Sequence, residues 1–149
     1  MNTVQKIEHW GDIHHGKWLD YLRIVVGITL ILKGIAFVSD GVALRHLFLH
    51  NNVYQFSGLM AMALDHFVAF AHISGGILIT IGLVTRFASV VQIPILLCAV
   101  FLVNVFKGFT PLNSELWFSV IMLMLVILFW VVGSGPFSVD YWMKTHRSK

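Results

Sequence analysis

At 149 residues the chain has room for one compact unit, and 58% of it is hydrophobic while only 11% is charged. Soluble domains are nearer 25% charged, so the composition excludes an ordinary soluble enzyme. The formal net charge of +3 fits basic residues flanking membrane spans and calls for no nucleic-acid partner.

The first 18 residues carry Lys6, Glu8, Asp12 and Lys17 and no apolar run. No cleavable signal peptide is expected there, and the first helix would serve as the insertion signal. Trp10 and Trp18 suit a helix lying at the interface. Apolar runs then follow over roughly 19–38, 65–84, 87–106 and 116–132. A spanning helix needs about 20 mostly apolar residues to cross a core about 30 Å thick. The expected fold is therefore all-α: a single four-transmembrane-helix bundle over 1–149, with a short interfacial helix in the first outer loop.

That loop, from Ser39 to Leu64, sets Val42, Leu44, Leu47, Phe48 and Leu49 against Arg45, His46 and His50, the pattern of a helix lying in the interface plane. Met60–Leu64 reads as an outward extension of the second helix. The link around Leu83–Arg86 is tight, so the second and third helices form an antiparallel hairpin. Pro94 removes a backbone donor from the third helix and is expected to kink it. Gly108 and Pro111 mark the turn into the fourth. Trp117, Trp130, Tyr141 and Trp142 fit interfacial belts.

Basic residues set the orientation. Lys6, Lys17, Arg23, Arg86, Lys144, Arg147 and Lys149 fall on one side of a chain that crosses four times, against Arg45 and Lys107 on the other. Basic loops stay inside, so both termini are expected in the cytoplasm and the protein in a multi-pass inner membrane.

The polar residues within the runs then fall at one depth. Lys33 stands about 20 Å above Leu19, and His72 about 10 Å below the outer surface, at about 1.5 Å per helical residue. Asn104 closes the third run and Glu115 opens the fourth. Ionisable residues at such depth normally face the bundle interior and pair with one another. Lys33, His72, Asn104 and Glu115 are accordingly the candidate ligand-binding residues, built around a Lys33–Glu115 ion pair. The plain alternative has Lys33 snorkelling to the headgroups and Glu115 doing no more than complement the helix dipole. Asn104 alone would be a helix–helix hydrogen bond.

Gly27 and Gly34 recur at heptad spacing, and Ala71, Gly75, Gly76 and Gly82 line part of the second helix. Small residues of this kind let backbones approach closely in lipid, and packing accounts for them without chemistry. His46 and His50 have helical ligand spacing but no third ligand nearby, so no metal is expected. His66 and His72 share one helix and cannot both ligate one haem iron. Cys98 is the single cysteine, which leaves no intrachain disulfide and no Cys-x-x-Cys redox pair. Phosphate-loop, dinucleotide and nucleophile-elbow signatures are absent from the sequence.

The stretch 71–88, AHISGGILITIGLVTRFA, resembles the second transmembrane segment of the DoxX family, down to its Gly-Leu-x-Thr-Arg turn at Gly82-Leu83-Val84-Thr85-Arg86. Arg23, Gly27 and Gly34 fit the family's first helix. Lys107-Gly108-Phe109 followed by Asn113 and Glu115 is similar to its approach to the fourth. Gly135-Pro136-Phe137-Ser138-Val139-Asp140 looks like its closing motif. This chain has His72 where the family often has Glu, and Asn104 near a position that is often His. The resemblance implies a small bacterial inner-membrane protein. Some members of the family are linked to thiosulfate:quinone oxidoreductase, others to oxidative-stress complexes with soluble partners.

Two classes of function stay open at this point. One is a redox-associated subunit, with or without catalysis of its own, that binds a quinone or similar small apolar ligand in an outward-facing polar pocket. The other is a non-catalytic scaffold or anchor for a partner protein. A small-solute transporter is a third and would require a homo-oligomer. The partners to expect are the lipid bilayer, a quinone, and a membrane or soluble redox protein.

Overall fold

A computed structural model describes residues 16–39, 58–104 and 113–146, the side chains of 60–62, Asp65, 102–104 and Lys144 excepted. The described residues form helices and turns: α1 (Lys17–Ser39), α2 (Gly58–Ile81), α3 (Thr85–Cys98), a π-helical continuation (Ala99–Asn104), α4 (Ser114–Val132) and α5 (Val139–His146). The interfacial helices expected around Trp10 and in the loop before Gly58, with His46 and His50, lie outside the described residues. So does the turn at Gly108 and Pro111.

The helix ends depart from the hydropathy runs for local reasons. α2 begins at Gly58 because the segment Gly-Leu-Met-Ala-Met-Ala-Leu is itself apolar and helix-forming. It stops at Ile81 because Gly82 takes φ 73°. The amides of Gly82 and Leu83 then turn back to Ile79 O and Leu78 O at 3.2 and 2.9 Å, a Schellman ending. Val84 follows with φ 49°, a costly conformation for a β-branched residue. Its amide is held by Asp140 Oδ1 at 2.9 Å. α4 starts at Ser114, where Asn113 Oδ1 accepts from Leu116 N at 3.3 Å and so caps the helix. α3 passes through Pro94 and widens into the π turn over Ala99–Asn104. α5 is a finding of the structure, with no counterpart among the apolar runs.

α1 packs chiefly on α2, α3 on α4, and α2 on α3. The core joins Val26 and Leu30 of α1, Ile79 of α2, Ala88 and Leu96 of α3, and Met122, Val126 and Phe129 of α4. The opposite faces are apolar too. Tyr21, Val25, Ile28, Leu32 and Ile35 on α1 are exposed, as are Trp117, Ile121, Met124, Ile127 and Trp130 on α4. A helix that is apolar on both its packed and its open side is built for a membrane. α1 and α4 are each long and apolar enough to cross one, while α2 and α3 contribute the shorter apolar stretches His66–Ile81 and Thr85–Phe101.

α1 and α2 touch backbone to backbone. A Cβ on Gly27 would lie 2.7 Å from Gly76 O and Thr80 N, and one on Gly76 would lie 2.7 Å from Gly27 O. Gly34, two turns on, sits 3.0 Å by the same measure from Ala69 O. Of the small residues singled out in the sequence, Gly27, Gly34 and Gly76 form this seam, while Gly75 lies against Gln92 of α3 and Gly82 against Arg23 and Ser138.

Candidate functional site

Two polar groupings stand at opposite ends of the bundle. At one end, Lys33 Nζ of α1 donates to both Glu115 oxygens of α4, at 2.9 and 3.1 Å. The ammonium also lies 4.8 Å from the centre of the Phe118 ring, a cation–π distance. Lys33 is thus tied to α4, and Glu115 does more than complement a helix end. The pair is open at the bundle surface, with side chains 35% and 57% exposed. Exposed pairs contribute about 0–1 kcal/mol where water reaches them. A sealed pair would lose about 3–5 kcal/mol on removal of one partner, a figure this geometry does not support.

His72 lies at the same level on α2. Arg23 sits against the Gly82 turn, and Lys33 and His72 are each ten residues from those two positions, or about 15 Å along their helices. The His72 side chain is buried at 4% exposure, its Nδ1 3.1 Å from Val68 O and its ring 5.9 Å from that of Phe37. Its Cβ packs where Gly34 leaves room, beside Lys33 in sequence. Asn104 ends the π turn, and its side chain lies outside the described residues. Of the four candidates, Lys33 and Glu115 are brought into contact and His72 to their level.

The other grouping was not among the candidates. Arg23, counted from the sequence as a flanking charge, is fully buried, and so is Asp20 at 2% exposure. Their nearest atoms, Arg23 Nη1 and Asp20 Oδ1, are 3.4 Å apart. Arg23 Nη2 donates to Phe137 O at 2.7 Å. Asp140 accepts from the amides of Val84 and Thr85 at 2.9 and 3.4 Å, and its own amide donates to Gly82 O at 3.2 Å. Arg86 lies against Gly133 at the end of α4. The α2–α3 turn, the start of α1 and the segment 133–140 are thereby locked together. The two sequence stretches with turn-like character, 82–86 and 135–140, are the two halves of this lock. The signal that could have revealed it is the i, i+3 pairing of Asp20 with Arg23 inside the first apolar run.

The sequence model of the DoxX family matches residues 18–105, more than half of the chain. The chain belongs to the DoxX family. No curated protein and no solved structure matches it. DoxX membership and the long apolar helices together point to a membrane protein. The matched region takes in α1, α2 and α3, and so contains Arg23, Lys33 and His72 but not Glu115.

Proposed function

We propose that this DoxX protein is a redox-associated subunit of the bacterial inner membrane, a four-span bundle whose Lys33, His72, Asn104 and Glu115 form an outward-facing pocket for a quinone or similar small apolar ligand. The observation that carries this reading is the Lys33–Glu115 contact between α1 and α4 at the level of a buried histidine. A few polar groups in an apolar wall are the usual form of a small-molecule site. The ammonium supplies a donor for a quinone carbonyl, and the imidazole can hold or pass a proton. Glu115 keeps the ammonium charged and oriented. The partial exposure of the pair leaves it reachable from the lipid-facing side, as a ligand dissolved in the bilayer requires.

His72→Leu tests the ligand. An apolar residue is at home at that depth, so the fold should survive, while the affinity for a water-soluble ubiquinone analogue should fall about tenfold with the loss of one buried polar contact. Quenching of tryptophan fluorescence in the purified protein would measure it. An unchanged affinity, or no binding to the wild type at all, would remove the quinone reading and leave the scaffold ahead.

The proposed orientation puts both termini in the cytoplasm. With Arg23 buried, the flanking residues Lys6, Lys17, Arg86, Lys144, Arg147 and Lys149 still outnumber Arg45 and Lys107. Reporter fusions at Lys149 and near Asn51 should therefore report cytoplasm and periplasm respectively. A periplasmic Lys149 fusion would invert the bundle and turn the Lys33 pocket inward.

A further inference from the structure

The pocket at Lys33 leaves α5 without a part to play, and at eight residues that helix is too short to hold itself together in water. Its first turn is well fastened. Ser138 Oγ accepts from Tyr141 N at 3.1 Å and donates to Gly135 O at 2.6 Å, which caps the helix. Asp140 receives the amides of Val84 and Thr85, and the Phe137 carbonyl receives Arg23. From Tyr141 onward the described side chains are exposed. Trp142 is 60% exposed and Met143 41%, and Phe137, just ahead of the helix, is 63% exposed.

The exposed part has two characters. Val139, Trp142, Met143 and His146 fall at i, i+3, i+4 and i+7, which is one face of a helix. Trp142 stacks on His146 along it, with ring centres 4.6 Å apart. Asp140, Tyr141, Lys144 and Thr145 occupy the remaining faces. An aromatic, apolar face beside a polar one is the pattern of a helix lying in a membrane interface.

Its position agrees. α5 begins just past the end of α4, a helix long and apolar enough to cross a membrane. Asp140 fastens it to the turn between α2 and α3, and Trp18, exposed at the start of α1, lies at the same end. In a membrane protein this level is the headgroup layer. The charge is complementary as well. Among the described residues the acids of this end are turned inward, Asp20 to Arg23 and Asp140 to the turn amides. Lys17 is exposed, and the sequence closes on Lys144, Arg147 and Lys149. Rings bordered by net positive charge match acyl chains beneath anionic phosphates.

We propose that α5 is a lipid-binding helix lying in the headgroup layer, with Trp142 and Met143 among the acyl chains and the positive charge of Lys17 and the C-terminal basic residues selecting anionic phospholipid. Lipid bound there braces the lock, since a fixed α5 keeps Phe137 and Asp140 on their partners. The inference rests on the chain being a membrane protein and not on what Lys33 and His72 bind.

Lipid-selective quenching tests it. The full chain is reconstituted in phosphatidylcholine vesicles containing a minor share of brominated phosphatidylglycerol or, in a matched set, of brominated phosphatidylcholine. The bromines sit near the head of the acyl chain in both. Bromine quenches indole on contact, and the difference between the wild type and Trp142→Phe isolates Trp142. Brominated phosphatidylglycerol should quench that component at least about twofold more than brominated phosphatidylcholine. The excess should be largely lost when Lys144→Gln, Arg147→Gln and Lys149→Gln are combined, because each basic residue near an anionic surface is worth roughly a fivefold preference. Equal quenching by the two lipids would overturn the proposal, as would an excess undiminished in the triple variant. Quenching by neither lipid would overturn it too and give α5 to a protein partner. Should Trp142→Phe fail to fold, Met143→Cys on a Cys98→Ala background, carrying a bromine-quenched fluorophore, takes its place with the same outcomes.

Discussion

Arg23→Met should be the most destabilising single substitution tested in this bundle, by about 3–5 kcal/mol, because it strands the buried Asp20 carboxylate without a counter-charge. The guanidinium does two jobs at once. It faces Asp20 across 3.4 Å within α1, and it ties α1 to the segment after α4 by donating to Phe137 O at 2.7 Å. Methionine keeps most of the volume and neither function. Asp20→Asn combined with Arg23→Met should be milder than the sum of the two, since the double variant buries no net charge. Unfolding in mixed detergent micelles, followed by circular dichroism, would measure the cycle. A loss under about 1 kcal/mol for Arg23→Met would place the pair in contact with solvent and undo the account of the lock.

Gly27→Val should cost about 1–3 kcal/mol or more, the usual penalty for forcing atoms into a packed interior. The new Cβ would meet Gly76 O and Thr80 N at 2.7 Å, and these are backbone atoms with no rotamer to change. The α1–α2 seam has to open along its length, since Gly34 rests on the same helix two turns away. Gly76→Val should behave alike, because its Cβ would strike Gly27 O. Ala36→Val is the matched control. Ala36 faces outward on α1, where substitutions usually stay within about 0.5 kcal/mol. The same unfolding assay reads all three, and a Gly27→Val effect no larger than that of Ala36→Val would mean that the seam is not under close contact.

Much of the helical layout was legible because lipid-facing and core-facing residues are both apolar. Hydropathy therefore rises over a whole span, and length alone marks the candidate helices. Gly27, Gly34 and Gly76 were legible for a related reason: where both faces are greasy, absence of a side chain is the informative feature. The Lys33–Glu115 contact could be expected because charges set within or beside apolar runs normally pair with one another.

Other features were decided by contacts that periodicity does not encode. The sequence by itself determined which segments are apolar enough to be helices and where small residues allow close approach. Only the tertiary structure decided how each helix is turned about its own axis. That rotation put Arg23 and Asp20 inside, although their place at the mouth of the first run suits a surface charge equally well. It aligned Thr85, Ser89 and Gln92 inward on α3, and left Lys33 and Glu115 open at the surface. The left-handed Val84 is likewise a product of long-range contact, since Asp140, distant in sequence, receives its amide. The physical reason is common to these cases. In a chain with apolar residues on every face, the hydrophobic pattern has no preferred direction, so helix orientation rests on glycine contacts, ion pairs and buried hydrogen bonds made between segments far apart in sequence.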